Sequence, residues 1–165
     1  MSDLAEELRV MTIGRASDLA QAMQRAGDLV ILITGCWDIL HVGHIRLVEF
    51  ASEYGEVFVG ANSDESIKAL KGDSRPVNNL GNRMRVMAAL RYVRAVFPIH
   101  DKRVSNAIAT LYPNYWVKGA DYTMETLDRD EVAAANSCGA KILFAPIVQG
   151  VSTTKILEKL NANRS

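Results

Sequence analysis

Residues 29–50 read LVILITGCWDILHVGHIRLVEF, and the order of residue types in this stretch decides the fold. Leu29 to Ile33 is a run of branched apolar residues, the signature of a strand buried on both faces of a parallel sheet. Gly35 breaks the run. From Gly43 to Tyr54 the residues Ile45, Leu47, Val48, Phe50 and Ala51 recur at three- and four-residue steps, which predicts a helix packed on that sheet. The first backbone N–H groups of a helix lack internal partners and sit at the positive end of its dipole, so a strand, a short loop and a helix start make a seat for an anion. His41 and His44, two of the 3 histidines in the chain, fall in that turn at a spacing that lets them face the same way. Gly43 lies between them, where a missing side chain admits a ligand close to backbone. A pair of surface histidines beside a loop is the competing reading of this segment alone.

Working outward, the 165 residues fit one domain, expected to run from Ser17 to Ser165 behind an N-terminal extension at 1–16 with a short helix at Asp3–Arg9. Ser17 is expected to cap a helix through Gln24 that Gly27 ends. Further short apolar strands are expected at Val57–Gly60, Ala95–Ile99, Tyr115–Val117 and Lys141–Ala145. Between and after them, helical patterns cover Ser63–Leu70, Asn79–Tyr92, Ser105–Leu111, residues 124–138 and a stretch capped by Ser152 to Leu160. This alternation predicts an α/β, Rossmann-like fold, a doubly wound five-stranded parallel sheet in three α/β/α layers. Ligands of such sheets bind at the carboxyl ends of the strands.

Composition narrows the partners. The chain has 19 basic and 19 acidic residues, so no global field holds nucleic acid or an anionic membrane. The acidic start MSDLAEELRV and the absence of a long apolar run point to a soluble cytoplasmic protein. The 2 cysteines, Cys36 and Cys138, make neither a disulfide framework nor a zinc ribbon.

Several polar groups are expected on the rim. Lys68, Lys71 and Arg75 cluster around LKGDSRPVN, and Arg83 and Arg85 open the next helix, where arginine opposes the dipole and asks for an anionic partner. A solvated charged loop is the plain alternative for the cluster. Lys118, Gly119 and Asp121 follow the fourth strand, where backbone and a carboxylate meet a base and ribose, although a simple turn explains them too. Ser152, Thr153 and Thr154 offer hydroxyls and free N–H groups at the last helix start, and Ser152 also serves as an ordinary cap. Metal ligation by the histidines is disfavoured, since Asp38 is the sole obvious third ligand nearby. The chain contains no GxxxxGK[ST], GxGxxG or HExxH pattern.

With GCWDILHVGH, the segments ANSDESIKALKGDSRPVN, VKGADY and GVSTTKI make four motifs in order. Together they resemble the cytidylyltransferase-like (HxGH) nucleotidyltransferases from about Ser17 onward, and within them most closely the heptose-1-phosphate adenylyltransferases. That resemblance implies transfer of AMP from ATP to a sugar 1-phosphate with release of pyrophosphate, Mg²⁺ carried by the nucleotide rather than a resident metal, and a possible homodimer. By position it implies that His41 and His44 contact the phosphates and stabilise the transition state, with Lys71 as a third catalytic group. Thr34, Gly35, Cys36, Trp37, Gly43, Arg83, Lys118, Gly119, Asp121, Ser152, Thr153 and Thr154 would line the nucleotide, and Asp38, Lys71 and Arg75 the acceptor.

Thr34, Trp37 and Ala120 depart from the usual asparagine, phenylalanine and glycine, which bears on substrate identity more than on reaction type. Ile147 stands where the glycerol-3-phosphate cytidylyltransferases carry an arginine, which weighs against CTP and an alcohol phosphate. A nucleotide-binding regulator without turnover is the reading of another class, disfavoured by the intact histidines and Ser-Thr-Thr. The adenylyltransferases are often fused to a sugar kinase, for which a chain of this length has no room.

Overall fold

A computed structural model describes residues 9–119, 121–146, 150 and 152–162. The expected helix at Asp3–Arg9 and the departures at Ala120 and Ile147 lie outside them or at their edge. Among the described residues twelve elements alternate: α1 (Ile13–Ala26), β1 (Val30–Gly35), α2 (Val42–Ser52), β2 (Glu56–Asn62), α3 (Asp64–Lys71), α4 (Leu80–Ala88), β3 (Val93–Ile99), α5 (Ser105–Leu111), β4 (Tyr115–Lys118), α6 (Arg129–Ser137), β5 (Lys141–Phe144) and α7 (Thr153–Ala162). The strands form one parallel sheet in the order β3-β2-β1-β4-β5, the doubly wound arrangement expected from the sequence.

Period-two alternation along the strands divides the core between the two faces of the sheet. Val30, Leu32, Phe58, Phe97 and Trp116 point to one face, covered by Ala16 and Ala20 of α1, Ala107, Ile108 and Leu111 of α5, and Ala135 of α6. Ile31, Ile33, Val57, Val59 and Val117 point to the other, covered by Val48 and Ala51 of α2 and Met87 and Ala88 of α4. The chain winds outward from β1 in both directions, so the crevice between the ends of β1 and β4 is the switch point where such folds take ligands.

Three boundaries differ from the expected ones, each for a local reason. The first helix is capped by Thr12, whose hydroxyl accepts from Arg15 N–H at 3.3 Å, while Ser17 is buried and donates to the Thr110 carbonyl at 2.7 Å. Residues from Arg9 on belong to the fold rather than to an extension, since Met11 N–H donates to Val96 O at 2.9 Å and Val96 N–H to Arg9 O at 2.8 Å along β3. The helix expected from residue 124 starts at Arg129, because Asp128 accepts from Asp130 N–H at 2.9 Å as its cap and Thr123 and Thr126 bond each other in a preceding turn.

Candidate active site

His41 is the N-cap of α2, in extended conformation at φ −144° and ψ 170°, and its Nδ1 accepts from Gly43 N–H at 3.1 Å. His41 N–H in turn donates to His44 Nδ1 at 3.4 Å, completing a reciprocal cap. The two rings stack with centroids 3.9 Å apart and planes inclined by 21°. A neutral imidazole that accepts at Nδ1 carries its proton at Nε2, so the backbone fixes both rings as Nε2–H donors. Burial, then the charges of His41 and Lys71, hold the His44 pKa down at about 4, and burial lowers that of His41. Gly43 suits this packing: a Cβ there would lie 3.0 Å from the His41 ring and press on the cap.

The loop after α3 is fastened to the histidine loop by Asp38. Its carboxylate accepts from Arg75 Nε at 2.9 Å, from Asn78 N–H at 2.9 Å, and from Val77 N–H at 2.9 and 3.0 Å, and its carbonyl accepts from the Asn78 amide at 2.9 Å. Burial works against the Asp38 charge, but the bonds from Asn78, Val77 and Arg75 outweigh it and keep the carboxyl below its ordinary range. Asp38, expected to bind the acceptor, borders the cleft described below and holds Arg75 and its loop. Arg75 is itself buried, with its Nε engaged, and borders the cleft.

Arg83 requires a correction. Expected at the nucleotide, it has a side chain with 0% exposure, and its guanidinium donates to Cys36 O, to Asn78 O at 3.0 Å, to Asn62 O at 2.7 Å and to the Asp64 carboxylate at 2.7 Å. The ends of β1 and β2, the start of α3 and the approach to α4 meet on this one planar group. The anionic partner that an arginine in a first helical turn asks for is therefore Asp64. Trp37 is likewise partly structural: it is buried at φ 53°, donates from its indole to Gly60 O at 2.9 Å and covers Gly35, where a Cβ would stand 3.2 Å from the ring.

A cleft of about 570 Å³ opens over these groups. Thr34, Gly35, Cys36 and Trp37 border it at the end of β1; His44, Lys71 and Arg75 come from α2 and the α3 loop; Lys118, Gly119 and Asp121 come from the end of β4. Of the three hydroxyl residues at α7, Thr153 reaches it, Ser152 serves as the cap that accepts from Lys155 N–H at 3.1 Å, and Thr154 is exposed. His41 sits beside His44, its ring stacked on that of His44, and holds Gly43 N–H at its Nδ1. The cleft also takes in residues that the sequence did not single out, Asn62, Lys102, Thr126 and Glu131 among them. Asn62 had a signal in its ANSDE motif, whereas Glu131, one residue of a distant helix, had none.

Lys118 borders the cleft from the end of β4. Its ammonium lies 3.9 Å from the Tyr122 ring centroid and 5.2 Å from that of Trp116, and the residue is 8% exposed. Burial lowers its pKa, against the opposing charges of Glu131 and Asp121. A Cβ at Gly119 would stand 2.6 Å from the Asp121 carboxylate, so a side chain there would displace that carboxylate. Among the described residues no three His, Cys, Asp or Glu side chains converge as a metal site, and no helix is long and apolar enough to cross a membrane.

Comparison with known proteins agrees with this geometry. The bifunctional protein HldE of Haemophilus influenzae (strain PittGG) is 37% identical over 152 residues, which are 92% of this chain and 32% of that protein. The protein of the same name from Shewanella piezotolerans is 41% identical over 140 residues, 84% of this chain and 29% of its own. The chain thus spans about a third of the length of these relatives. Two solved structures share the fold. The lipopolysaccharide core biosynthesis protein from Thermoplasma volcanium superposes with a TM-score of 0.63 at 22% identity, over 74% of this chain and all of that one. The pantoate-beta-alanine ligase from Francisella tularensis does so at 0.57 and 15% identity, over 94% of this chain and 78% of that one. A sequence profile described as cytidylyltransferase-like matches residues 32–159, a span holding the stacked histidines and every rim segment described above, and the chain accordingly belongs to the cytidylyltransferase-like family of nucleotidyltransferases.

Proposed function

We propose that the chain transfers AMP from ATP to a sugar 1-phosphate, a heptose 1-phosphate by resemblance of its motifs, releasing pyrophosphate and forming an ADP-sugar. The observation that carries this reading is the meeting, in one cleft, of His44 with its Nε2–H donor, the Lys71 and Arg75 cations, the Thr153 helix start and the Gly119–Asp121 turn. The first three groups suit phosphates, and the last suits a nucleoside.

In the reaction an oxygen of the acceptor phosphate forms a bond to the α-phosphorus of ATP while the α–β bridging P–O bond breaks, and the electron pair leaves with pyrophosphate. The second phosphate pKa is about 6, so the attacking oxygen is already anionic near neutrality and needs no general base. The barrier lies in bringing two anions together, and the chain answers it with positioned donors in a partly dehydrated site. His44 and His41 would donate to α- and β-phosphate oxygens, and Lys71 and Arg75 would neutralise the incoming phosphate. A magnesium ion riding on the triphosphate would supply further charge neutralisation as part of the substrate; with Asp38 spent on Arg75, Val77 and Asn78, the protein need provide no dedicated carboxylate cage.

Pyrophosphate release measured over a panel of nucleoside triphosphates and phosphorylated acceptors tests the proposal. ATP with a sugar 1-phosphate should give the highest kcat/KM. Preference for CTP with glycerol 3-phosphate would change the substrates, and nucleotide binding without pyrophosphate from any pair would reject turnover.

A further inference from the structure

The cleft passes over the carboxyl edge of the sheet, and its two sides differ chemically. The histidines lie on the face that α2 and α4 cover, whereas Lys118 follows Trp116 by two residues on β4 and so projects to the face of α5 and α6. There its ammonium has no hydrogen-bond or ion-pair partner among the described residues, although the residue is more than nine-tenths buried and borders the cleft. Across from it Glu131 of α6 spends one carboxylate oxygen on Val104 N–H at 3.1 Å, where it caps α5 in place of a local side chain, and keeps the other free among the described residues. Tyr122 closes the group with its ring. A buried donor, a half-used carboxylate and an aromatic face suit hydroxyl groups on a carbon skeleton, and a carboxylate disfavours phosphate there.

Resting on the adenylyltransferase reading, we propose that the α5/α6 side of the cleft is the seat of the acceptor's polyhydroxylated body, its hydroxyls held between Lys118 and Glu131 against the Tyr122 ring. The acceptor phosphate then reaches over the sheet edge toward His44, Lys71 and Arg75. This places acceptor recognition on β4 and α6 in addition to the α3 loop, and leaves the nucleoside to the backbone of Gly119 and to Asp121.

The test compares steady-state kinetics of the full chain and of Lys118→Met and Glu131→Gln with ATP and a panel of sugar 1-phosphates. Glu131→Gln retains a carbonyl oxygen for Val104 N–H, so it removes the charge and spares the α5 cap, and serves if Lys118→Met does not fold. Each variant should raise KM for the sugar 1-phosphate by about tenfold or more, the cost of a lost hydrogen bond to a charged group, with KM for ATP within about twofold of the parent. Equal losses for both substrates would assign the pair to the nucleoside and overturn the subsite. So would an unchanged acceptor KM in a folded variant. Failure of the unaltered protein to release pyrophosphate with any sugar 1-phosphate would overturn the underlying reading and the subsite together.

Discussion

The imidazole at 41 does two separable jobs. Its Nδ1 caps α2, which leaves Nε2–H as a donor, so His41→Ala removes both a cap, worth about 1 kcal/mol, and a donor. His41→Asn keeps a good capping residue and loses the ring. Turnover should fall on the order of ~100-fold or more in His41→Asn, His41→Ala and His44→Ala, while thermal unfolding of His41→Asn stays near that of the parent. Near-normal turnover in the alanine variants would remove the histidines from the chemistry. A second consequence concerns pH. With its folded pKa near 4 against an ordinary 6.5, His44 stays neutral in the fold while the unfolded chain takes up a proton. Stability from this group is complete above about pH 6.5 and is lost as pH falls toward 4, because the unfolded state then binds more protons. His44→Gln should therefore show a shallower loss of Tm across that window, and an unchanged slope would mean the imidazole is not held neutral.

At the scale of elements, the cleft is held together by side chains bonded to other parts of the chain: Arg83 lies outside its lining and Asp38 borders it. Arg83 joins the ends of β1 and β2 to α3 and the approach to α4, and Asp38 clips the loop at 75–78 to the histidine loop. Arg83→Met would leave a carboxylate and several carbonyls without their donor, which costs about 3 kcal/mol or more for a buried charge network, and Tm should fall by roughly 6–12 °C in a domain of this size. A lysine ammonium would reach one or two of these acceptors where the guanidinium of Arg83 reaches all of them, so Arg83→Lys should recover only part of the loss; full recovery would argue that charge alone matters. This division of labour explains what was legible in the sequence. Strand and helix order followed from periodicity and punctuation, and the histidines, Lys71, Arg75 and Lys118 announced themselves by position. Composition reports a charge but not which groups it meets, so Arg83 looked like a ligand contact, and the bonds that Asp38 of the cleft border accepts from Arg75, Val77 and Asn78 could not be foreseen. Likewise Ser17 read as a cap on paper, whereas its hydroxyl donates to the Thr110 carbonyl and Thr12 caps the helix.

For the whole molecule, stability is unevenly spread in a way that ties folding to ligand. β1 is buried along nearly its full length between β2 and β4, whereas no described side chain of α7 is buried and Leu160 is 57% exposed. Helices with so little apolar burial open at low free energy, so α7 amides should exchange with solvent well before those of β1. Thr153 nevertheless borders the cleft, and a triphosphate spanning His44 and the start of α7 would bridge α7 to α2, which packs on the sheet around β1. ATP at about 100 times its Kd should add about 2.7 kcal/mol and raise Tm by roughly 5–11 °C, and hydrogen exchange should slow most in α7 and in the first turn of α2. If ATP raised Tm without protecting α7, its phosphates would have to be held by the histidine and α3 loops alone. Thr153→Ala would then leave ATP affinity unchanged, whereas a phosphate seated on both helix starts requires that affinity to weaken severalfold.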